Sequence, residues 1–210
     1  MRMFKRLAVA AAAAGIVLGT TAGVASASTT GAHREGGTTS VVRLTGGQTT
    51  LTTAPGIAAA LLGHGIVPLA TLPATEGVKT VSGGVAVRFA FPVSGGRVNL
   101  KQLTGTIDHS GGILFIAPAS GKEIAVSDFV INLKERVLTA IVNGNPKARV
   151  PLLSLSLAGA KIAAGKHAVA VSGIVVRLTK TAASALDATF GTSLFKAGLE
   201  LGTAGTLVKF

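Results

Sequence analysis

The sequence contains no cysteine, which excludes thiol catalysis, thiolate metal sites and iron–sulfur clusters. Tyrosine and tryptophan are also absent, and phenylalanine, with eight copies, is the only large aromatic residue. Side chains that could stack on bases are therefore scarce. The basic residues give a formal net charge of +12 but are scattered singly, with no run of four. This pattern argues against nucleic-acid binding and leaves anionic cell-wall or surface components as possible partners.

Acidic residues are few as well, and the eight that are present lack a close pair suited to glycoside hydrolysis. The adjacent residues Asp108, His109 and Ser110 cannot adopt the geometry of a catalytic triad, and a Gly-x-Ser-x-Gly nucleophile elbow is absent. No two histidines have metal-ligand spacing. We therefore predict a non-enzymatic protein without a metal site, and we keep a secreted hydrolase as an alternative.

Long hydrophobic runs are absent except at the N-terminus, where residues 1–27 have the three parts of a signal peptide. Arg2, Lys5 and Arg6 form a positive region, Leu7 to Leu18 is apolar, and a small-x-small cleavage site ends at Ala27. The apolar part is too short to span a bilayer, which takes about 20 residues. We predict a secreted or cell-surface protein, cleaved near Ala27, whose mature chain has no transmembrane span.

The rest of the chain divides into a lead-in and one domain. Residues 28–40 are small, polar and glycine-rich, which predicts a flexible segment. Residues 41–210 contain short apolar runs at regular spacing with glycine-rich turns, which predicts an antiparallel β-sandwich of roughly 8–11 strands. A short N-terminal helix is expected from Pro55 to Leu62. A C-terminal helix is expected between Thr179 and Gly191, which suit its two caps.

The stretch from Val98 to Asn143 reads as a β meander. Its first tight turn is expected at residues 108–112, because glycine supplies positive φ and Asp108 can hydrogen-bond within its own turn. In the third run the apolar positions change face at Ser127–Asp128. A slip of one residue moves every later side chain to the other face, so this change predicts a β-bulge.

Four short motifs in this order resemble the HtaA-type domain of exported actinobacterial proteins. They are Phe91-Pro92-Val93-Ser94-Gly95-Gly96, His109-Ser110-Gly111-Gly112, Leu138-Thr139-Ala140, and Leu178-Thr179 followed by Ala182, Ala183 and Phe190. The resemblance covers about residues 45–206. It implies a β-rich fold, an extracellular setting and, in some members, haem held by a tyrosine that a histidine assists. His109 matches the family's histidine–glycine turn, but this chain has no tyrosine to serve as the ligand.

If the chain has a ligand-binding site in this turn, its residues are expected to be His109 and Ser110, with His64 from a second glycine-flanked turn. A histidine at the tip of a tight turn can meet a ligand without disturbing the core. The alternative is that the turn has no role beyond reversing the chain. The sequence thus leaves three functions open: a non-enzymatic binding or surface-interaction protein of unknown ligand, a haem-binding protein, and a secreted hydrolase.

Overall fold

A computed structural model describes residues 41–210. The predicted signal peptide (residues 1–27) and lead-in (residues 28–40) lie outside the described residues. Within residues 41–210, neither helix has the length and apolar character needed to cross a bilayer.

The described part of the chain is mainly β, as the sequence predicts, with thirteen strands and two helices. The first group of elements is β1 (Val41–Arg43), β2 (Gly46–Thr53), α1 (Ile57–Gly63), β3 (Val67–Thr71), β4 (Thr75–Val81), β5 (Gly84–Asn99), β6 (Thr104–His109) and β7 (Gly112–Ala117). The second group is β8 (Lys122–Asn132), β9 (Val137–Val142), β10 (Asn145–Ser156), β11 (Lys161–Ala164), β12 (Ala168–Leu178), α2 (Lys180–Phe190) and β13 (Glu200–Lys209).

Eight of these strands close into a barrel. Following hydrogen-bonded neighbours, the order is β5, β2, β13, β12, β10, β9, β8 and β6, and β6 pairs again with β5. Every pair is antiparallel, and β1, β3, β4, β7 and β11 extend the sheet outside this ring. The predicted sandwich is therefore not confirmed. Alternating apolar residues bury one face of a sheet whether that face packs on a second sheet or on the far wall of a barrel, so the pattern did not distinguish them.

The expected chain reversal at residues 108–112 is wrong. β6 and β7 do not pair with each other; both are antiparallel to β8, β6 along Val130 to Asn132 and β7 along residues 122–127. The two strands run in the same direction and are joined by a kink at His109–Gly111. The kink needs glycine because a Cβ on Gly111 would lie 2.5 Å from the backbone nitrogen of Ala74.

The predicted bulge and caps are confirmed. The pairing of β8 with β9 shifts register between Ser127 and Val130, and Asp128 has φ of 51°. α2 begins after Thr179, whose hydroxyl accepts a hydrogen bond from the Ala182 amide at 3.2 Å, and it ends at Gly191 with φ of 67°. The first helix also forms, although it begins at Ile57, two residues later than expected.

The two ends of the barrel differ in what covers them. Both helices follow strands at the same end, α1 after β2 and α2 after β12, and their apolar faces join the largest cluster of buried side chains. We call this the helix end. At the opposite end the strands are joined by three connections, residues 100–103, 133–136 and 157–167, the last of which contains β11. We call this the loop end.

Candidate functional site

The barrel encloses a cavity of about 350 Å³. All eight barrel strands contribute apolar side chains to its wall. One from each strand, in barrel order, is Phe91, Leu51, Val208, Val171, Leu155, Leu138, Ile131 and Ile107. The only polar residues on the wall are Thr49, Thr206 and Arg136. An interior of this size and polarity is typical of sites for one apolar small molecule, and eight-stranded barrels are just wide enough to hold one.

His109 lies inside the barrel rather than at an exposed turn. Only 4% of its surface is accessible, because it is the last residue of β6 and faces inward beside Thr49 of β2. Its Nε2 is 2.7 Å from the Thr49 hydroxyl, and its Nδ1 is 3.1 Å from the carbonyl oxygen of Phe129. The Thr49 hydroxyl is in turn 2.7 Å from that of Thr206, the residue directly opposite it on β13.

These contacts fix the direction of the three hydrogen bonds that link Thr206, Thr49, His109 and Phe129. The carbonyl oxygen of Phe129 can only accept, so Nδ1 of His109 carries the proton. In the neutral imidazole Nε2 then accepts, and the Thr49 hydroxyl donates to it. With its own proton used, Thr49 accepts from the hydroxyl of Thr206. The result is one buried chain that runs from Thr206 through Thr49 and His109 to Phe129.

Burial favours the neutral form of this histidine. It lowers the pKa of His109 below the ordinary 6.5, against smaller opposing effects of the hydrogen bond to Phe129 and of the Asp108 charge. No buried polar side-chain atom in residues 41–210 is left without a partner. The hydrogen bonds among these four residues therefore satisfy one another and leave His109 no free nitrogen for a metal.

The three residues predicted as a site are not brought together. Ser110 is half-buried and follows His109 in the kink, where its amide donates to the Pro92 carbonyl at 3.1 Å. His64 is exposed at the C-terminal cap of α1 and lines neither cavity described here. The expectation that His109 stands clear of the sheet is wrong, because the chain continues through the kink instead of reversing there.

A smaller cavity of about 110 Å³ lies at the helix end, between the two helices and the barrel. Leu61 of α1 and Leu186 of α2 face it, and Thr53 is the only polar residue on its wall. Leu51 and Leu153 line both cavities, so the two spaces are neighbours. Sequence patterns did not reveal either cavity, since the same alternating residues would fill a solid core.

Neither cavity wall contains a serine, histidine, aspartate or glutamate. A hydrolytic site would need a Ser–His pair or two converging carboxylates. Among the residues that the structure describes, no three His, Cys, Asp or Glu side chains are grouped so as to hold a metal ion.

A solved structure of one HtaA domain has this fold. The C-terminal domain of HtaA from Corynebacterium glutamicum is 16% identical in sequence, with a TM-score of 0.53, over 80% of this chain and 98% of that domain. The N-terminal domain of the same protein is 14% identical, with a TM-score of 0.47, over 78% of this chain and 97% of that domain. No protein-family model and no curated protein matches the sequence. The first likeness confirms, at the level of fold, the resemblance seen in the sequence.

Haem, which that resemblance implies for some members, does not fit the residues that line either cavity. Protein ligands to haem iron are histidine, cysteine, methionine or tyrosine side chains. Neither cavity wall offers one, and both ring nitrogens of the buried His109 are already engaged.

Proposed function

We propose that the chain is a secreted, non-enzymatic binding protein whose ligand is an apolar small molecule held inside the barrel. The observation that carries this proposal is the cavity of about 350 Å³ with wall residues from all eight strands. The catalytic sets that a hydrolase would use are missing from both cavity walls, and so is an axial ligand for haem. The signal-peptide pattern at residues 1–27 supports secretion, and the net positive charge supports attraction to anionic cell-wall or surface components.

The size of the cavity is sufficient for useful affinity. Studies of cores with cavities give about 24 cal/mol for each Å³ of void, so filling about 350 Å³ is worth up to roughly 8 kcal/mol. A free energy near that value corresponds to a dissociation constant of about 1 μM. Losses of ligand freedom reduce the figure, so we expect dissociation constants in the micromolar range.

A neutral fluorescent probe tests the proposal. N-phenyl-1-naphthylamine brightens in apolar surroundings, and the protein is expected to bind it with saturable, micromolar affinity. Ala204→Leu adds atoms to the cavity wall and should weaken binding at least tenfold. Ala163→Leu is the matched control, because Ala163 is exposed on β11 and does not line the cavity. Melting curves establish that both variants fold.

Two outcomes would refute the proposal. One is a protein that does not bind the probe. The other is equal binding by the two leucine variants, which would place the probe on the surface. Haemin added to the same protein distinguishes the haem alternative: a Soret shift that both leucine variants retain would support haem binding outside the barrel.

A further inference from the structure

We propose that the ligand is a single-chain amphiphile with an anionic head group, whose chain lies in the barrel and whose head group is bound by Arg136 at the loop end. This inference rests on the proposed function and adds to it the chemical class and the orientation of the ligand.

The cavity reaches the surface at the loop end. Its exposed wall residues are Leu103 in the first connection, Arg136 in the second and Ile162 of β11 in the third. Leu103 is 43% accessible and Ile162 57%, although both are large apolar side chains. At the opposite end the helices cover the barrel with a cluster that includes Leu61 and Leu186. A ligand therefore enters between the loops, with its apolar part leading.

Arg136 is the only charged residue on the wall of either cavity. Its backbone has φ of 54°, and its carbonyl oxygen accepts a hydrogen bond from the Leu155 amide at 2.8 Å, which fixes the loop at the mouth. Within residues 41–210 the one ion pair joins Arg177 to Glu200, so the Arg136 guanidinium has no carboxylate partner there. Arginine binds carboxylate and phosphate groups through two parallel N–H donors.

The neighbouring charges have the same sign. The three connections of the loop end contain five basic residues and one acidic residue, Glu135. The basic residues are Lys101, Lys134, Arg136, Lys161 and Lys166, and all of them are exposed. A mouth with this charge attracts anionic ligands and disfavours cationic ones.

The dimensions fit one chain of moderate length. The cavity follows β13 from Ala204 to Val208, four residue steps or roughly 14 Å at about 3.4 Å each. If a methylene group takes about the 30 Å³ of a water molecule in the liquid, about 350 Å³ accommodates on the order of twelve such groups. The two threonine hydroxyls on the wall are occupied with each other and His109, so the inner part of the cavity favours a chain without polar groups.

The test compares four twelve-carbon probes by calorimetry at micromolar concentration: dodecanoate, dodecyl phosphate, dodecan-1-ol and dodecyltrimethylammonium. The two anions are expected to bind about tenfold more tightly than the alcohol, and the cation more weakly than the alcohol. Tighter binding of dodecanoate would identify a carboxylate head group, as in a fatty acid, and tighter binding of dodecyl phosphate would identify a phosphate head group.

Arg136→Gln is expected to weaken binding of the preferred anion about tenfold and binding of dodecan-1-ol much less, so that the preference for the anion over the alcohol is lost. Lys134→Gln, in the same loop but not on the cavity wall, is the control for general surface charge and should change anion binding less than twofold. If alcohol and anions bind equally, or if the two variants behave alike, the inference fails while the proposed function stands. If no probe binds, both fail.

Discussion

Replacement of Thr49 by valine should destabilise the protein strongly, because this residue is the middle of the buried hydrogen-bond chain. Valine keeps the shape of threonine but removes the hydroxyl. His109 Nε2 then loses its donor at 2.7 Å, and the Thr206 hydroxyl loses its acceptor, also at 2.7 Å. Each buried group left without a partner costs about 1–3 kcal/mol. Since valine recovers part of this by being more apolar, we expect a loss of roughly 2–4 kcal/mol.

The direction of the hydrogen bonds predicts a smaller effect at the other threonine. Thr206 is the first donor in the series of hydrogen bonds, so its replacement by valine leaves Thr49 still donating to His109. Only one accepted hydrogen bond is lost, worth about 0.5–1.5 kcal/mol. Thr52→Val provides the control, because Thr52 is half-buried on the same strand and makes no side-chain hydrogen bond to another described residue.

Urea denaturation at pH 7.5 measures all three variants. The free energies of unfolding should fall in the order Thr52→Val, Thr206→Val and Thr49→Val, from most to least stable. If Thr206→Val costs as much as Thr49→Val, the assigned direction of the hydrogen bonds is wrong. If neither Thr49→Val nor Thr206→Val costs more than the control, these hydrogen bonds do not stabilise the barrel.

Three other substitutions or conditions test separate parts of the structure. Burial lowers the pKa of His109, so the unfolded chain binds a proton more readily than the folded protein does. The contribution to stability is therefore complete above about pH 6.5 and falls below it by up to about 1.4 kcal/mol per pH unit. Urea midpoints at several pH values should show this loss in His64→Gln but not in His109→Gln. Gly111→Ala should cost more than roughly 3 kcal/mol because its Cβ meets a backbone nitrogen at 2.5 Å, whereas Gly121→Ala, with positive φ but no atom within 4 Å, should cost about 1 kcal/mol by thermal unfolding. Thr179→Ala removes the N-terminal cap of α2 and should cost about 1 kcal/mol, measured in the same way.

Each of these has an outcome that contradicts it. Equal pH dependence in the two histidine variants would mean that another group is responsible for the acid loss. Similar costs for the two glycine variants would mean that the backbone around the kink can move aside. An unchanged melting temperature in Thr179→Ala would show that the cap contributes nothing to stability.

Features that depend on residues near each other in the chain were predicted correctly from the sequence. The alternation of apolar residues located the bulge at Ser127–Asp128, because a change of face needs an extra residue in the strand. The apolar positions between Ala168 and Leu178 also change face, at Ser172–Gly173, where β12 shifts register against β13. The caps of α2 follow from the chemistry of Thr179 and Gly191 alone.

Features that depend on distant partners were not predicted. Glycine at positions 111 and 112 shows that the backbone there is unusual, but not whether the chain turns back or continues. The answer depends on β3 and β8, whose backbones approach too closely for any side chain. The burial of His109 likewise depends on Thr49, which lies 60 residues away, and nothing in a threonine-rich strand distinguishes that threonine from its neighbours.

The position of His109 explains why one buried histidine suits this barrel. Along β8, residues 130–132 pair with β6 inside the barrel, whereas residues 122–127 pair with β7 in the extension that leads to β3. The segment that runs from β6 into β7 therefore leaves the ring at residues 109–111, opposite the bulge of β8. A bulge interrupts the ladder, and the carbonyl of Phe129 lies in the interrupted segment. The imidazole of His109 donates to this carbonyl and accepts from Thr49 of β2, which only β5 separates from β6 in the ring, so it pairs with a carbonyl of the bulge and connects β6, β8 and β2. Because these bonds join three strands at the place where the sheet divides, His109 is better explained as a residue that stabilises the barrel than as a ligand-binding residue.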